Sequence, residues 1–205
     1  METDKKTTLL AVLYVLASYA GPLVWWKVPG EKTAAINLIL VIPFFIGIIN
    51  AVYIKINFQK SSRMTLLKCT LMVKYLLIPM YIIGGWMIVV LFLLIFTPIV
   101  IMIFFSPFMI AMLSIYGYLI MLGGNAFSLA YIRKAREEGV YGTFLSTAGK
   151  ILQFFFVTDV ASMVFFSLKE KKYIAAAVTT IVLLALGFLG ILGWLVITIV
   201  KAAML

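Results

Sequence analysis

The sequence predicts an all-α, polytopic transmembrane helix bundle with six spans. Three observations carry that prediction. Hydrophobic residues fill 65% of the 205 positions and charged residues only 12%. A soluble domain carries roughly 25% charged residues, so here lipid must solvate most of the exterior. Apolar runs recur along the chain, each close to the ~20 residues that cross a bilayer. Between them the lysines and arginines gather in a few short stretches, as in chains oriented by basic loops. Spans of that length leave no room for a separate soluble unit, so residues 1–205 form a single integral membrane domain.

The first span is predicted at about 8–26. Ser18 and Ala20 are the small residues a signal-peptidase site would use. The apolar run continues past them to Trp25 and Trp26, so the segment is read as a span with its tryptophans at an interface. A turn, KVPGEK at 27–32, leads to a second span at 34–56. Pro43 should kink it, Gly47 and Ala51 offer a close-packing face, and Asn37 and Asn50 are its polar residues.

The segment 55–74 is the most basic. Its apolar residues form no clean stripe, so it is either an interfacial helix or the inner end of the third span. No charged residue occurs in 75–132, which is too long for one helix and long enough for two. The break falls near Thr97-Pro98 or Ser106-Pro107, because proline disfavours helix at the residue before it. Spans are placed at 75–103 and 107–132. The polar stretch RKAREEG (133–139) continues the fourth helix into water, with Arg133–Glu137 and Lys134–Glu138 at i,i+4 and Gly139 as its stop.

Residues 143–168 admit two readings. The segment is apolar enough to span, at 146–168, and that gives the sixth helix. It also holds Lys150, Gln153 and Asp159 and ends at the cluster KEKK (169–172). The alternative is five spans plus a re-entrant or interfacial helix at 143–168. The last span is predicted at 173–200, where Gly187, Gly190 and Gly193 suggest a helix-packing face.

The basic loops set the orientation. The stretches 55–74 and 133–150 should face the cytoplasm, which puts the N-terminus inside and the 27–32 turn outside, most naturally in a plasma (inner) membrane. The expected contacts for anionic lipids or an acidic partner are Lys55, Lys60, Arg63, Lys68, Lys74, Arg133, Lys134 and Arg136, with Lys150 nearby. The net charge of +10 then belongs to topology rather than to nucleic acid.

Enzyme chemistry is poorly supplied. The chain has no histidine, which removes the usual base and metal ligand. Only Asp159 stands at possible membrane depth among the acids, so a paired aspartyl site has no second member. Cys69 is the one cysteine, and the GGN at 123–125 is too short for a dinucleotide fingerprint. No catalytic residue, metal or cofactor is predicted.

An ionisable residue at depth is a functional-site hypothesis by default. Asp159, with Asn125, Asn50 and Gln153, therefore forms the candidate ligand, ion or proton site. Thr158-Asp159 also fits a helix N-cap. Three functions follow: a small transporter or channel with a polar site near Asp159; a non-catalytic subunit of a membrane complex; or a lipid-binding or lipid-handling protein with a lateral groove. The expected partners are the bilayer, further copies of the chain, or another membrane protein.

Overall fold

A computed structural model describes residues 2–27 and 34–203, without the side chains of 25–27, 34–37, 199 and 201–203. The expected 27–32 turn and the side chains of Trp25, Trp26 and Asn37 lie outside the described residues. Seven helices are present among those described: α1 Glu2–Lys27, α2 Ala34–Asn57, α3 Arg63–Leu94, α4 Val100–Glu137, α5 Thr143–Leu152, α6 Phe156–Lys169 and α7 Ile174–Ala203. Five of them, α1, α2, α3, α4 and α7, are long and apolar enough to cross a membrane.

The helices α1 to α4 form the packed core. At its centre α2 and α4 meet backbone to backbone, because a Cβ on Gly47 would sit 2.9 Å from the Gly123 Cα. Tyr14 of α1 lies across the same crossing and its hydroxyl donates to the Ile120 carbonyl. A Cβ on Gly123 would fall 2.5 Å from that hydroxyl. Small residues at such crossings let helices pack where lipid offers no hydrophobic drive.

Of the two readings of the basic stretch, the inner end of the third helix is the one the structure has. Ser62 caps it by accepting from the Thr65 N–H at 3.1 Å, so the basic stretch after 63 is part of α3 itself. Pro98 provides the break between α3 and α4: Thr97 donates its hydroxyl to the Leu94 carbonyl at 2.7 Å, and α4 begins at Val100. Pro107, the other candidate, stays inside α4. Gly139, with φ of 71°, ends α4; it donates to Arg136 at 3.0 Å while Val140 donates to Ala135 at 2.9 Å.

The segment expected as a sixth span at 146–168 forms instead a hairpin of two short helices, α5 and α6, neither of which is among the five long and apolar enough to cross a membrane. The helix breaks at 153–155, where the Thr158 hydroxyl takes the Leu152 carbonyl at 3.0 Å. The two short helices then run antiparallel. Gln153 Nε2 donates to Ser162 Oγ at 2.6 Å, and a Cβ on Gly149 would meet the Phe166 ring at 2.7 Å. Tyr141 at the start of the hairpin reaches Glu170 at its end, at 3.2 Å. The segment is greasy enough to span. Its polar residues Gln153, Asp159 and Ser162 fold it back by bonding across the turn or to neighbouring helices.

Both ends of the hairpin therefore lie at one end of the bundle. The same end holds the start of α1, where Asp4 Oδ1 accepts from the Ser62 N–H at 3.1 Å, and the start of α3 at Arg63. Lys169, Lys171 and Lys172 join the basic residues already gathered there. The connection from α6 to α7 is tight, with Lys171 (φ 53°) and Tyr173 (φ 57°) in the left-handed region.

Candidate functional site

Two polar clusters hold the hairpin against α3 and α4. The deeper one centres on Lys74, about 16 Å along α3 from Arg63 at the helical rise. Its ammonium donates to Asp159 Oδ1 on α6 and to Asn125 Oδ1 on α4 at 2.7 Å. Asn125 Nδ2 in turn donates to the Gln153 carbonyl at 2.5 Å, at the hairpin tip. Gln153 donates to Ser162, whose hydroxyl donates to the Asp159 carbonyl at 2.9 Å. All five residues are buried.

Three of the four residues proposed as a polar site thus come together: Asp159, Asn125 and Gln153. Asn50 does not join them; its side-chain nitrogen and oxygen are buried on α2 with no hydrogen-bond partner among the described residues. Lys74 corrects a reading from sequence. It was grouped with the surface lysines, yet its side chain is only 4% exposed and faces Asp159. Asp159 does not cap α6 either; the N-cap is Phe155, and the carboxylate is spent on Lys74. The space beside the pair is about 10 Å³, room for about one water.

The second cluster lies at the basic end. Glu170 Oε1 accepts from Tyr131 at 2.6 Å, from Tyr141 at 3.2 Å and from Arg63 Nη1 at 3.2 Å. Arg63 Nε also pairs with Glu138 at 2.9 Å, so one guanidinium spans the ends of α4 and α6. Phe166 packs beside both tyrosine rings, and Lys169 lies over the Tyr141 ring at 5.1 Å. Burial pushes the Tyr141 phenol up to about 12, which keeps it a hydrogen-bond donor at neutral pH. Sequence reasoning missed this cluster entirely, since its members are scattered from 63 to 170.

The remaining basic residues divide by exposure. Lys55, Lys60, Lys68 and Arg136 are exposed and free to meet a head group or partner. Arg63 belongs to the ionic cluster just described. Arg133 pairs with Glu137 at 2.9 Å and covers the Phe58 ring. Lys134 does not pair with Glu138; it donates to the Phe58 and Gln59 carbonyls at 3.2 and 3.0 Å, tying α4 to the end of α2. The glycine face of α7 is also divided. A Cβ on Gly187 would meet Ile82 of α3 at 2.7 Å, whereas Gly190 and Gly193 have nothing within 4 Å.

Beyond the hairpin tip lies a space of about 610 Å³. It sits between α3, α4 and α7, with Phe156, Val157 and Val160 of the hairpin as its roof. Gly84 and Gly85 of α3 form part of its wall, and a Cβ on either would meet nothing within 4 Å. Val157 and Phe188, both largely exposed, stand at its rim, so it opens on the side of the bundle. Its size is in the range of small-molecule sites. Among the described residues no group of three or more His, Cys, Asp or Glu side chains is placed to hold a metal ion.

Residues 7–173 match the model of a family described as "Family of unknown function (DUF6652)", a match that runs from α1 through α6. No curated protein and no solved structure matches the chain.

Proposed function

The chain belongs to the DUF6652 family, and on that footing we propose that it is a lipid-handling membrane protein that admits a lipid chain through its side. The observation that carries this reading is the cavity of about 610 Å³ beneath the hairpin tip. It is lined almost wholly by apolar side chains and opens where hydrocarbon surrounds the protein. A well-formed apolar space with a few polar groups near it is the default place for a ligand. The proposal is of binding, not of catalysis.

The reading carries an orientation. The basic end, with the N-terminus and the KEKK cluster, faces the cytoplasm of a plasma (inner) membrane, following the positive-inside rule. Exposed Lys55, Lys60 and Lys68 then meet anionic head groups of that leaflet.

Transport of an ion or proton is the second reading, and the Lys74–Asp159 pair favours it, because charge at depth is costly to keep. Transport needs a hydrated path to the pair. The space there holds about one water, and Lys74 already bonds to both Asp159 and Asn125. We therefore rank it behind lipid binding. A role as a non-catalytic subunit of a membrane complex is supported only by the open glycines 190 and 193.

Native mass spectrometry of the full chain, released from its own membrane in mild detergent, tests the proposal. Wild type should carry a lipid, and Gly85→Leu, which fills the cavity, should lose it while remaining folded. Equal lipid retention by both would sink the reading. A stoichiometric second polypeptide with no lipid would favour the subunit role.

A further inference from the structure

Tyr81 stands between two spaces. It lines the small cavity beside Lys74 and Asp159, and it also lines the large cavity beneath the hairpin tip. Its ring is held edge-on by Phe156 at 5.9 Å. Its hydroxyl makes no hydrogen bond to any described residue. Tyr14 donates to Ile120, Tyr19 to Leu76 and Tyr131 to Glu170, whereas Tyr75 and Tyr116 share the state of Tyr81, each with a buried hydroxyl that finds no partner among the described residues; of the three, Tyr81 and Tyr116 line the large cavity. A phenol left over inside a protein calls for a partner from outside it.

The surroundings define that partner. Among the described residues only Tyr81, Ser114 and Tyr116 bring polar side chains to the large cavity. No net charge is on offer, since Lys74 and Asp159 neutralise each other and Asn125 Oδ1 accepts a further hydrogen bond from the ammonium. Tyr81 also lies about 27 Å along α3 from Arg63 by helical rise, within the hydrocarbon. An ionised head group there would lose its water without finding a counter-charge. A head group with one uncharged oxygen would lose little and gain the Tyr81 bond.

Resting on the lipid-handling reading, we infer that the ligand is an uncharged lipid with a single hydroxyl or carbonyl oxygen at its head. That oxygen meets the Tyr81 hydroxyl, and the hydrocarbon chain runs along the wall left open by Gly84 and Gly85. Because Tyr81 lines the small cavity together with Lys74 and Asp159, the ion pair forms a polar end wall that stops the head at one depth.

The test uses the full chain in phosphatidylcholine vesicles and three diazirine-bearing probes: hexadecanol, palmitic acid and hexadecane. Labelled peptides are located by mass spectrometry. Hexadecanol should label 78–88 and 184–191 about fivefold more than either other probe, the equivalent of one net hydrogen bond. Tyr81→Phe, which removes an unpaired hydroxyl and leaves the ring packing, should reduce hexadecanol labelling to the hexadecane level without changing the latter. Gly85→Leu should reduce labelling by all three. If hexadecane or palmitic acid labels as well as hexadecanol, the head-group inference is overturned while lipid binding stands. If Gly85→Leu leaves all three unchanged, the cavity reading itself is overturned.

Discussion

The ammonium of Lys74 and the carboxylate of Asp159 meet in the interior although 85 positions separate them in the chain. One lies on α3, a helix long and apolar enough to cross a membrane, and the other on α6, the returning arm of the hairpin. Their contact, extended by Asn125 and Gln153, fixes how deep the hairpin sits and therefore where the roof of the large cavity lies.

Breaking that pair should cost more than deleting it. A buried charge left without its partner destabilises by about 3–5 kcal/mol. Asp159→Leu or Lys74→Met alone should therefore lower thermal stability in detergent strongly, and the double variant should recover most of the loss. Additive losses in the double variant, read by scanning fluorimetry, would mean the two side chains do not depend on one another.

The hairpin places residue 172 on the side of the basic loops. A cysteine at Lys172, in a Cys69→Ser background, should react with an impermeant maleimide from the same face as a cysteine at Gln59. A cysteine introduced at Thr198 should react from the opposite face. Opposite-face labelling of position 172 would restore a sixth span across 146–168.

Glycines in this fold fall into two classes that alanine should separate. At Gly123 an added methyl collides with the Tyr14 hydroxyl, and overpacking of this kind costs about 1–3 kcal/mol. At Gly84 the methyl meets nothing within 4 Å, and helix propensity favours alanine by about 1 kcal/mol. Gly123→Ala should lower the melting temperature and Gly84→Ala should hold or raise it. The reverse order would contradict the packing described at the α2–α4 crossing.

Lys171 adopts a left-handed conformation without being glycine. An L side chain pays roughly 1–2 kcal/mol there. Lys171→Gly should therefore stabilise the protein by about 1 kcal/mol, visible as a raised melting temperature with unchanged membrane orientation.

Much of the architecture was legible because lipid imposes simple rules. The long apolar runs marked α1, α2, the α3–α4 pair and α7, and Pro98 was one of two candidates for the break between α3 and α4. The polar residues at depth were also visible, and three of them do share a site. What sequence could not supply was the partner. Lys74 sits between Lys68 and Tyr75, at the end of a basic stretch, and nothing local distinguishes it from its exposed neighbours. Only the hairpin, by carrying Asp159 back to α3, reveals it as an interior residue. The hairpin was hard to see for a related reason. Periodicity and hydropathy report how greasy 146–168 is, and a re-entrant segment packed between helices is as greasy as a span. Its signature is a set of bonds between residues far apart in sequence, such as Tyr141 with Glu170.

The hairpin also implies an order of assembly. Lys74 on α3 and Asn125 on α4 must both be in place before the Asp159 carboxylate and the Gln153 carbonyl find the partners they have in the finished fold. Docking of α5 and α6 thus depends on α3 and α4, whose Lys74 and Asn125 it engages. A chain arrested before that event would display an unfilled slot between α3 and α4, a natural target for membrane quality control.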